Sequence, residues 1–288
     1  MPHATGLADA AGFIRRCDAI DLLEWHLAEF SNADPADQAG RASALRDQAI
    51  ALCRHLEQMN AAVVQGLRRD IVAGRCRGSD LFDELQRCCA GPKQNAADGD
   101  LEYDSLDVLV AGILGTDRLL DHDAAEALPE MVPYQPTPAR IILEIVRQTG
   151  VSPHDLFVDV GSGLGVVPML VSLLSGAAAI GIEVQPSYCR HADACVRRLN
   201  LSNVRFVCQD ARHADYSVGT VFYMYTPFKG AMLRQVLERL DAEGRRRKFR
   251  LCTYGPIVSE AVQQPWLAAF ERSRLAEGPV TVFHSKPT

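Results

Sequence analysis

Several features that would indicate a membrane or secreted protein are missing from this sequence. Its 288 residues contain no apolar run approaching the roughly 18–20 residues that span a bilayer. Residues 1–11 have no basic start followed by an apolar run, so they do not resemble a secretory signal. Aromatic residues are few, at 7%, whereas 48% hydrophobic and 23% charged residues are typical of a globular protein. We predict a cytoplasmic protein with no membrane partner.

Cysteine pairs at metal-binding spacing are also missing. Nine cysteines are present, but no Cys-x-x-Cys pair occurs, and only Cys88 and Cys89 are adjacent. An odd, scattered set in a chain of this length indicates reduced thiols rather than a disulfide framework or a zinc site. His191 and Cys195 would share one face of a helix, but two ligands do not make a metal site. The sequence therefore predicts no metal.

Charge is unevenly distributed along the chain. The net charge is −6, yet residues 81–130 carry twelve acidic residues against three basic ones, a local charge of −9. Residues 186–250 carry thirteen basic residues against six acidic ones, a local charge of +7. The acidic total argues against nucleic acid as a general partner, and an acidic segment beside a substrate opening would attract a cationic substrate. The basic run 245–248 is interpreted as a solvated turn, with nucleic acid or an acidic protein as the alternative contact.

The first 130 residues have helical periodicity and almost no strand signal. Apolar residues at helical steps predict one helix from Ile14, a longer one over residues 44–71, and two shorter ones over 79–89 and 106–127. Four prolines between residues 129 and 138 then interrupt any helix. We therefore predict a helical N-terminal domain over residues 1–130 and a second domain over residues 131–288.

The second domain alternates apolar strands with amphipathic helices. Strands that are apolar on both faces and alternate with helices indicate a parallel α/β sheet covered on both sides. A turn containing glycine separates the last two apolar runs, as in a closing hairpin. The predicted strands are 156–160, 179–184, 204–209, 220–225 and 249–254, the helices are 138–148, 166–174, 186–199 and 231–240, and the hairpin is 266–272 with 279–284.

The strongest local pattern is a glycine-rich turn after the first predicted strand. Residues 157–165 form a buried strand that runs into Gly161, Ser162, Gly163 and Gly165. Glycines are needed where a backbone turns tightly and approaches a ligand, and the amides at the start of the next helix can bind a polar group. A plain strand-to-helix turn is the structural alternative.

Two acids follow at the ends of the next two strands. Glu183 lies about 20 residues after the loop, where a carboxylate can accept hydrogen bonds from ribose hydroxyls. Asp210 ends the third strand, where a carboxylate can accept a hydrogen bond from an adenine amino group. Either acid could instead be a solvated strand terminus. Together they indicate a nucleoside site.

With these residues in place, residues 131–288 resemble the class I S-adenosylmethionine-dependent methyltransferases. The resemblance implies a Rossmann-like, mostly parallel seven-stranded sheet with an antiparallel C-terminal hairpin strand, and S-adenosylmethionine bound across the carboxyl ends of the strands. An NAD dehydrogenase would share the glycine loop and the ribose acid, but the acid that precedes the loop and the hairpin fit methyltransferases better. The implied cofactor-binding residues are Asp159, Gly161, Ser162, Gly163, Gly165, Glu183, Asp210 and Ala211.

Residues 131–138 look like a segment of the seven-strand protein lysine methyltransferases, which include the non-SET histone lysine methyltransferases. In that group a Tyr-x-Pro-Thr-like segment closes over the methionine end of the cofactor. The resemblance assigns this role to Tyr134 and Thr137. A Pro-rich hinge between domains is the alternative interpretation.

The fourth strand ends at the family's substrate-side position. Residues 223–228 depart from the Asn-Pro-Pro-Tyr of many N-methyltransferases, so recognition of a planar amine by Asn is not expected. Tyr225 and Phe228 can form an aromatic wall that favours cationic character, and Tyr225 could also relay a proton. Phe222 and Tyr223 are interpreted as core residues. The predicted substrate residues are Tyr225, Thr226, Pro227 and Phe228, with Tyr225 also catalytic.

Methyl transfer from a sulfonium needs alignment more than it needs a strong base. His213 could serve an oxygen nucleophile, although a loop histidine without a role is the favoured interpretation. The first hypothesis is a methyltransferase for an amine nitrogen, with a protein lysine as the suggested acceptor and the N-terminal helices as a lid or substrate wall. The alternatives are a small-molecule N- or O-methyltransferase and a non-catalytic nucleotide-binding module.

Overall fold

The computed structural model describes residues 12–31, 41–88, 103–117, 130–272 and 280–286. Helices and strands alternate after residue 139, as the sequence predicts. The helices are α1 Phe13–Ser31, α2 Arg41–Val72, α3 Ser79–Cys88, α4 Ser105–Leu114, α5 Ala139–Thr149, α6 Val166–Ser175, α7 Pro186–Leu199, α8 Gly230–Arg246 and α9 Ile257–Val262, with a 3-10 turn at Ala211–His213. The strands are β1 Leu156–Val160, β2 Ala178–Glu183, β3 Val204–Cys208, β4 Val221–Met224, β5 Arg250–Thr253, β6 Leu267–Arg272 and β7 Thr281–Ser285.

The seven strands form one mixed sheet in the order β3-β2-β1-β4-β5-β7-β6. Strands β1 to β5 are parallel, and β7 lies antiparallel to both β5 and β6. This confirms the predicted Rossmann-like sheet with its antiparallel C-terminal hairpin. The carboxyl ends of β1 and β4 meet near the middle of the sheet, which is where α/β folds bind ligands.

The side chains of β1 alternate between two apolar layers. Phe157 packs on one face of the sheet in a cluster with N-terminal residues such as Leu109 and with α5 residues such as Ile142. Val158 and Val160 point to the other face, among residues of α8 and the hairpin. Successive strand residues face opposite sides, so a strand apolar throughout is covered on both. The N-terminal helices therefore share a core with the sheet, and the division at residue 130 stays a prediction.

The C-terminal end of α4 is held by polar side chains of its neighbours. Arg68 of α2 donates to the carbonyls of Gly112 and Ile113, at 3.0 Å for Ile113. His191 and Cys195, which share a face of α7, both contact the carbonyl of Gly115, at 3.1 and 3.5 Å. These contacts satisfy carbonyls that a helix leaves without intrahelical partners. His191 and Cys195, which the sequence places together as two potential metal ligands, thus hold the end of α4 against α7. The described residues contain no group of three potential metal ligands.

Two sequence-based expectations are wrong in detail. The helix predicted over residues 106–127 ends at Leu114, because Gly115 adopts a left-handed conformation with φ 82°; residues 118–129 lie outside the described part. The run 245–248 is solvated at Arg245, Arg246 and Lys248, but it is not simply a turn, because α8 continues to Arg246. Arg247 is partly buried and donates hydrogen bonds to the carbonyls of Gly219 and Tyr216. None of the described helices has both the length and the apolar character that a membrane span requires.

Candidate functional site

A cleft of about 310 Å³, including its part open to solvent, lies at the carboxyl ends of β1 and β4. Three stretches that the sequence singled out converge on it: the segment before α5, the glycine turn and the end of β4. Its lining residues are Tyr134, Gln135, Pro136, Thr137, Asp159, Gly161, Ser162, Val166, Val167, Tyr223 and Tyr225.

The glycine turn is shaped by close neighbours as well as by its own backbone. The amides of Gly161 and Ser162 donate to the carbonyl of Ile182 at 2.9 and 3.0 Å. Gly161 and Gly163 have φ values of 85° and 52°, in the left-handed region that favours glycine. A Cβ on Gly161 would lie 2.3 Å from the side chain of Pro227, and a Cβ on Gly163 would lie 2.1 Å from the ring of Tyr134. The two glycines therefore let the loop after β4, which contains Pro227, and the segment that contains Tyr134 approach the turn.

Gly165 has a packing role. A Cβ at this position would lie 2.2 Å from the ring of Phe206 on β3 and 3.1 Å from Ala192 on α7. The third glycine of such a motif commonly permits close packing of helix and strand. Gly165 does not line the cleft, and its contact with the cofactor stays a prediction.

Glu183 is held firmly beneath the glycine turn. Its carboxylate accepts hydrogen bonds from the amides of Gly163 and Gln185, both at 2.8 Å, and the side chain is buried. Burial raises the pKa of Glu183, which these amide donors partly offset. Asp159 is buried on β1 and lines the cleft. Burial, together with the nearby Glu183, raises the pKa of Asp159 well above its usual range.

Asp210 is engaged by its own turn. Its carboxylate accepts hydrogen bonds from the Arg212 amide at 2.8 Å and from the Arg212 guanidinium at 2.6 Å. The hydrogen-bonded guanidinium lowers the pKa of Asp210. Ala211 is buried, and its carbonyl accepts a hydrogen bond from Tyr216 at 2.7 Å. Neither residue lines the cleft; their contact with adenine stays a prediction. His213 is exposed and also lies outside the cleft.

Tyr134 and Thr137 enter the cleft from the segment before α5. The Tyr134 hydroxyl accepts a hydrogen bond from the Leu164 amide, and its ring lies 5.5 Å from that of Tyr188. Thr137 is buried, and its hydroxyl lies 2.9 Å from the Tyr223 hydroxyl. Tyr223 was expected to be a core residue; it is buried, yet it also lines the cleft. The alternation of side chains along a strand, which puts Tyr223 and Tyr225 on one side, was the signal for it.

The segment before α5 is tied to the loop after β4. The Val132 amide donates to the Pro227 carbonyl at 3.1 Å, and the Lys229 amide donates to the Glu130 carbonyl at 2.9 Å. The Glu130 carboxylate also accepts hydrogen bonds from the first amides of α8, at 2.8 and 2.9 Å. These bonds cap a helix start that has no side-chain cap of its own. They also lower the pKa of Glu130.

The predicted substrate residues separate into two groups. Tyr225 lines the cleft, with its hydroxyl 3.4 Å from the Gln135 side-chain oxygen and its ring 4.9 Å from that of Tyr254. Thr226 has φ 41°, a strained conformation for a β-branched residue, and its hydroxyl accepts from the Ile257 amide at 3.2 Å. Phe228 is buried in the apolar core, so the aromatic wall predicted from Tyr225 and Phe228 contains Tyr225 without Phe228.

Tyr103 is a neighbour of the cleft that sequence reasoning missed. It precedes α4, and its hydroxyl donates to the Pro136 carbonyl at 2.6 Å. Burial raises the pKa of Tyr103 to about 12, with Tyr225 and Asp107 contributing. No local pattern marks such a residue, because its contact spans 33 positions of the chain. Gln135 was passed over as well, although it lies between two predicted residues.

The comparisons with known proteins agree with this arrangement. Residues 131–218 match the family model described as "Histone methylation protein DOT1". The chain is a class I S-adenosylmethionine-dependent methyltransferase. This methyltransferase matches no curated protein.

Solved structures of methyltransferases resemble about half of this methyltransferase. An RNA methyltransferase from Salinibacter ruber in complex with S-adenosyl-L-homocysteine is 22% identical, with a TM-score of 0.44, over 53% of this chain and 94% of that chain. A putative methyltransferase from Escherichia coli is 14% identical, with a TM-score of 0.44, over 56% and 92%. A precorrin-6y C5,15-methyltransferase from Geobacter metallireducens is 14% identical, with a TM-score of 0.41, over 55% and 92%.

The cleft residues fit the cofactor of this class. The Ser162 hydroxyl is buried beside the glycine turn and has no hydrogen-bond partner among the described residues, so it remains available to a polar ligand. Glu183 does not line the cleft itself, but amide hydrogen bonds fix its carboxylate beside the glycine turn, where it is an acceptor for hydroxyl groups. When bound, S-adenosylmethionine supplies an electrophilic methyl group on a sulfonium.

Proposed function

We propose that this methyltransferase modifies an amine nitrogen and that its acceptor is a lysine side chain of a protein. The observation that carries the proposal is the ring of Tyr225 on the cleft wall, backed by Tyr254 at 4.9 Å. An aromatic face attracts a cation, so it favours a nitrogen that becomes cationic when it is alkylated. The match of residues 131–218 to a histone methylation family supports a protein acceptor.

On the cofactor side, the roles follow from the hydrogen bonds already present. Glu183 is proposed to accept ribose hydroxyls, because the amides of Gly163 and Gln185 fix its carboxylate. Asp159 and Ser162 present polar groups to the cleft and are proposed to hold the methionine end, where Tyr134 and Thr137 close the other side. Asp210 and Ala211 are proposed to border the adenine, with Arg212 as a third participant.

On the acceptor side, the chain mainly orients the nucleophile and excludes water. Burial raises the pKa of Tyr225, so its phenol stays protonated at neutral pH and cannot act as a phenolate base. Its hydroxyl can hold a hydrogen bond with the acceptor or with Gln135, which lies 3.4 Å away. The acceptor amine therefore has to arrive neutral, having lost its proton to solvent at the cleft mouth. Alignment of the nucleophile is the larger contribution to rate.

The N-terminal region contributes a wall to this opening. Tyr103 bonds to Pro136 in the cleft lining, and Asp107 accepts a hydrogen bond from the Ala139 amide at 2.7 Å. Asp104 pairs with Arg140 at the start of α5. These acids of the −9 segment thus serve structural bonds. Residues 89–102 and 118–129 lie outside the described part, and the attraction of a cationic acceptor by this segment stays a prediction. The assignment to the cytoplasm stays a prediction.

A small-molecule acceptor is the second candidate. The observation that favours it is Tyr103, which precedes α4 and bonds to Pro136 in the cleft lining, as a helical cap beside an enclosed small-ligand pocket would. Under this alternative, the atom that receives the methyl group is either a nitrogen or an oxygen of the small molecule.

Transfer of labelled methyl groups separates the two candidates. The purified protein is incubated with methyl-labelled S-adenosylmethionine and a lysate; label in protein, recovered as methyl-lysine after hydrolysis, supports the proposal. Label confined to small molecules supports the second candidate. The Glu183→Ala variant should lose transfer, whereas Glu238→Ala, which removes an exposed acid of α8, should retain it. Absence of transfer to either fraction, with normal cofactor binding, would contradict both acceptor proposals.

A further inference from the structure

Two cysteines lie together at the carboxyl edge of the sheet, beside the proposed ribose acid. Cys208 ends β3 and is exposed, and its Cα is the register partner of Glu183 on the neighbouring strand β2. Cys189 lies in the first turn of α7 and is buried. They are distant in sequence, so their proximity is a product of the parallel β2–α7–β3 arrangement.

The two thiols converge on one short stretch of backbone. Cys189 Sγ donates to the carbonyl of Glu183 at 3.5 Å, and Cys208 Sγ donates to the carbonyl of Val184 at 3.9 Å. Burial, and after it the neighbouring Cys208 thiol, raises the pKa of Cys189. The two carbonyls belong to consecutive residues, so both thiols lie against the same short stretch of backbone, where side-chain rotation can bring the sulfur atoms together.

We propose that Cys189 and Cys208 form a reversible disulfide that weakens binding of the cofactor. The proposal rests on the cofactor role proposed for Glu183. Both cysteines are free thiols in the structure, as expected for the reduced state. Oxidation would thus switch the enzyme to a weakly binding form, and reduction would restore it.

The reaction is a pair of thiol–disulfide exchanges with glutathione disulfide as oxidant. The exposed Cys208 thiolate attacks one glutathione sulfur, which releases the first glutathione thiolate and leaves a mixed disulfide. The Cys189 thiolate then attacks the Cys208 sulfur and releases the second glutathione. Two protein thiols are oxidised, one glutathione disulfide is reduced, and the two thiol protons pass to the glutathione thiolates. Burial raises the pKa of Cys189, so Cys208 is the first nucleophile and Cys189 resolves the mixed disulfide.

The effect on the cofactor site follows from the bonds that hold Glu183. Its carbonyl accepts from Cys189 Sγ and from the Gln209 amide at 2.8 Å, and its carboxylate accepts from the Gln185 amide. The Cys189 amide in turn donates to the Gln185 carbonyl at 3.1 Å. A disulfide removes the S–H donor and pulls the first turn of α7 toward β3. The carboxylate that is proposed to bind ribose then shifts with Gln185.

Peptide mapping of the wild-type protein tests the bond without reference to activity. Trypsin cleaves after Arg190 and Arg205, so Cys189 and Cys208 fall in different peptides, and Cys195 falls in a third. After incubation with glutathione disulfide, we expect a cross-linked peptide that joins Cys189 to Cys208 and disappears on reduction. Recovery of both peptides separately, with Cys208 carrying glutathione only, would overturn the proposal.

Calorimetric titration of S-adenosylhomocysteine into reduced and oxidised protein tests the consequence. We expect binding about tenfold weaker after oxidation, reversed by dithiothreitol, and no such change in Cys208→Ser or Cys189→Ala. Cys76→Ser, which removes a partly exposed thiol on the loop after α2, should respond like wild type. A cross-link with unchanged affinity would overturn the regulatory effect. A cross-link in protein that binds no cofactor in either state would overturn the proposed function and leave the thiol pair standing.

Discussion

The Gly163 amide donates a 2.8 Å hydrogen bond to the Glu183 carboxylate, so the glycine turn and the end of β2 form one unit. The same carboxylate is bonded to Gln185 at the start of α7. The position of the carboxylate that a ligand contacts therefore depends on both the glycine turn and the start of α7. This coupling distinguishes Glu183 from Asp210, whose partner is the nearby Arg212.

The first prediction concerns these two acids. Glu183→Gln removes a charged acceptor and brings an amide group toward the two backbone donors; hydrogen bonds to charged groups contribute about 1.5–3 kcal/mol. We expect cofactor affinity to fall by about tenfold or more. Asp210→Asn weakens the partly exposed ion pair between Asp210 and Arg212, and such pairs contribute about 0–1 kcal/mol. The affinity for the cofactor should therefore change by no more than about fivefold. Titration calorimetry with S-adenosylhomocysteine measures both, and a larger loss for Asp210→Asn would reverse the assignment.

The second prediction uses a pair of glycines with similar backbones. Gly163 and Gly74 both have positive φ, at 52° and 73°, but a Cβ meets the Tyr134 ring at Gly163 and nothing within 4 Å at Gly74. Gly74→Ala should cost about 1–2 kcal/mol of unfolding free energy through backbone strain and leave cofactor binding unchanged. Gly163→Ala should cost at least as much and abolish binding, because Tyr134 is displaced. Denaturant unfolding and calorimetry measure the two effects; equal binding by both variants contradicts the proposed role of the turn.

Local patterns were enough to predict much of this fold. The prediction of β1 matched the structure at both ends, and Pro186 at the start of α7, with Asn200 in a left-handed conformation after its end, bounded that helix as predicted. Glu183 was found because its spacing from the glycine turn follows from strand and helix lengths. Such features are encoded within about 30 residues, the length of one β-α-β unit.

Contacts across long stretches of sequence were not predictable in the same way. Glu130 caps α8 across about a hundred residues, and Tyr103 reaches Pro136 across 33. Each contact depends on where the fold brings its partner, and an acid or a tyrosine in a polar stretch has no distinctive local pattern. Phe228 was misplaced for a related reason. Tyr225, three positions earlier, lines the cleft, but Phe228 pairs with Met131 in an isolated bridge and its side chain packs in the core.

The third prediction is a pH dependence of stability at Glu130. Two amide donors lower its pKa in the folded protein below the ordinary value of 4.5, so its ionised form stabilises the fold. The stabilisation is fully present above pH 4.5 and is lost as pH falls through the lower folded pKa. Wild type should therefore unfold at a higher temperature than Glu130→Gln near pH 7, and the difference should shrink as the solution is acidified below pH 4.5. Thermal unfolding of both proteins across this pH range measures the difference. A difference in unfolding temperature that grows as the pH falls would contradict the prediction.

The final prediction separates the ring of Tyr225 from its hydroxyl. An attraction between a cation and an aromatic face contributes about 0.5–2 kcal/mol, and phenylalanine retains that face. Tyr225→Phe should therefore keep kcat/KM within about threefold of wild type, because the 3.4 Å hydrogen bond to Gln135 is long. Tyr225→Ala should lower kcat/KM by about tenfold, mostly through kcat, because alignment of the acceptor is lost. Steady-state kinetics with methyl-labelled S-adenosylmethionine and the acceptor identified by that label measures both values of kcat/KM. If Tyr225→Phe were as impaired as Tyr225→Ala, the hydroxyl would be the catalytic group, and proton relay would replace the aromatic wall as the role of this residue.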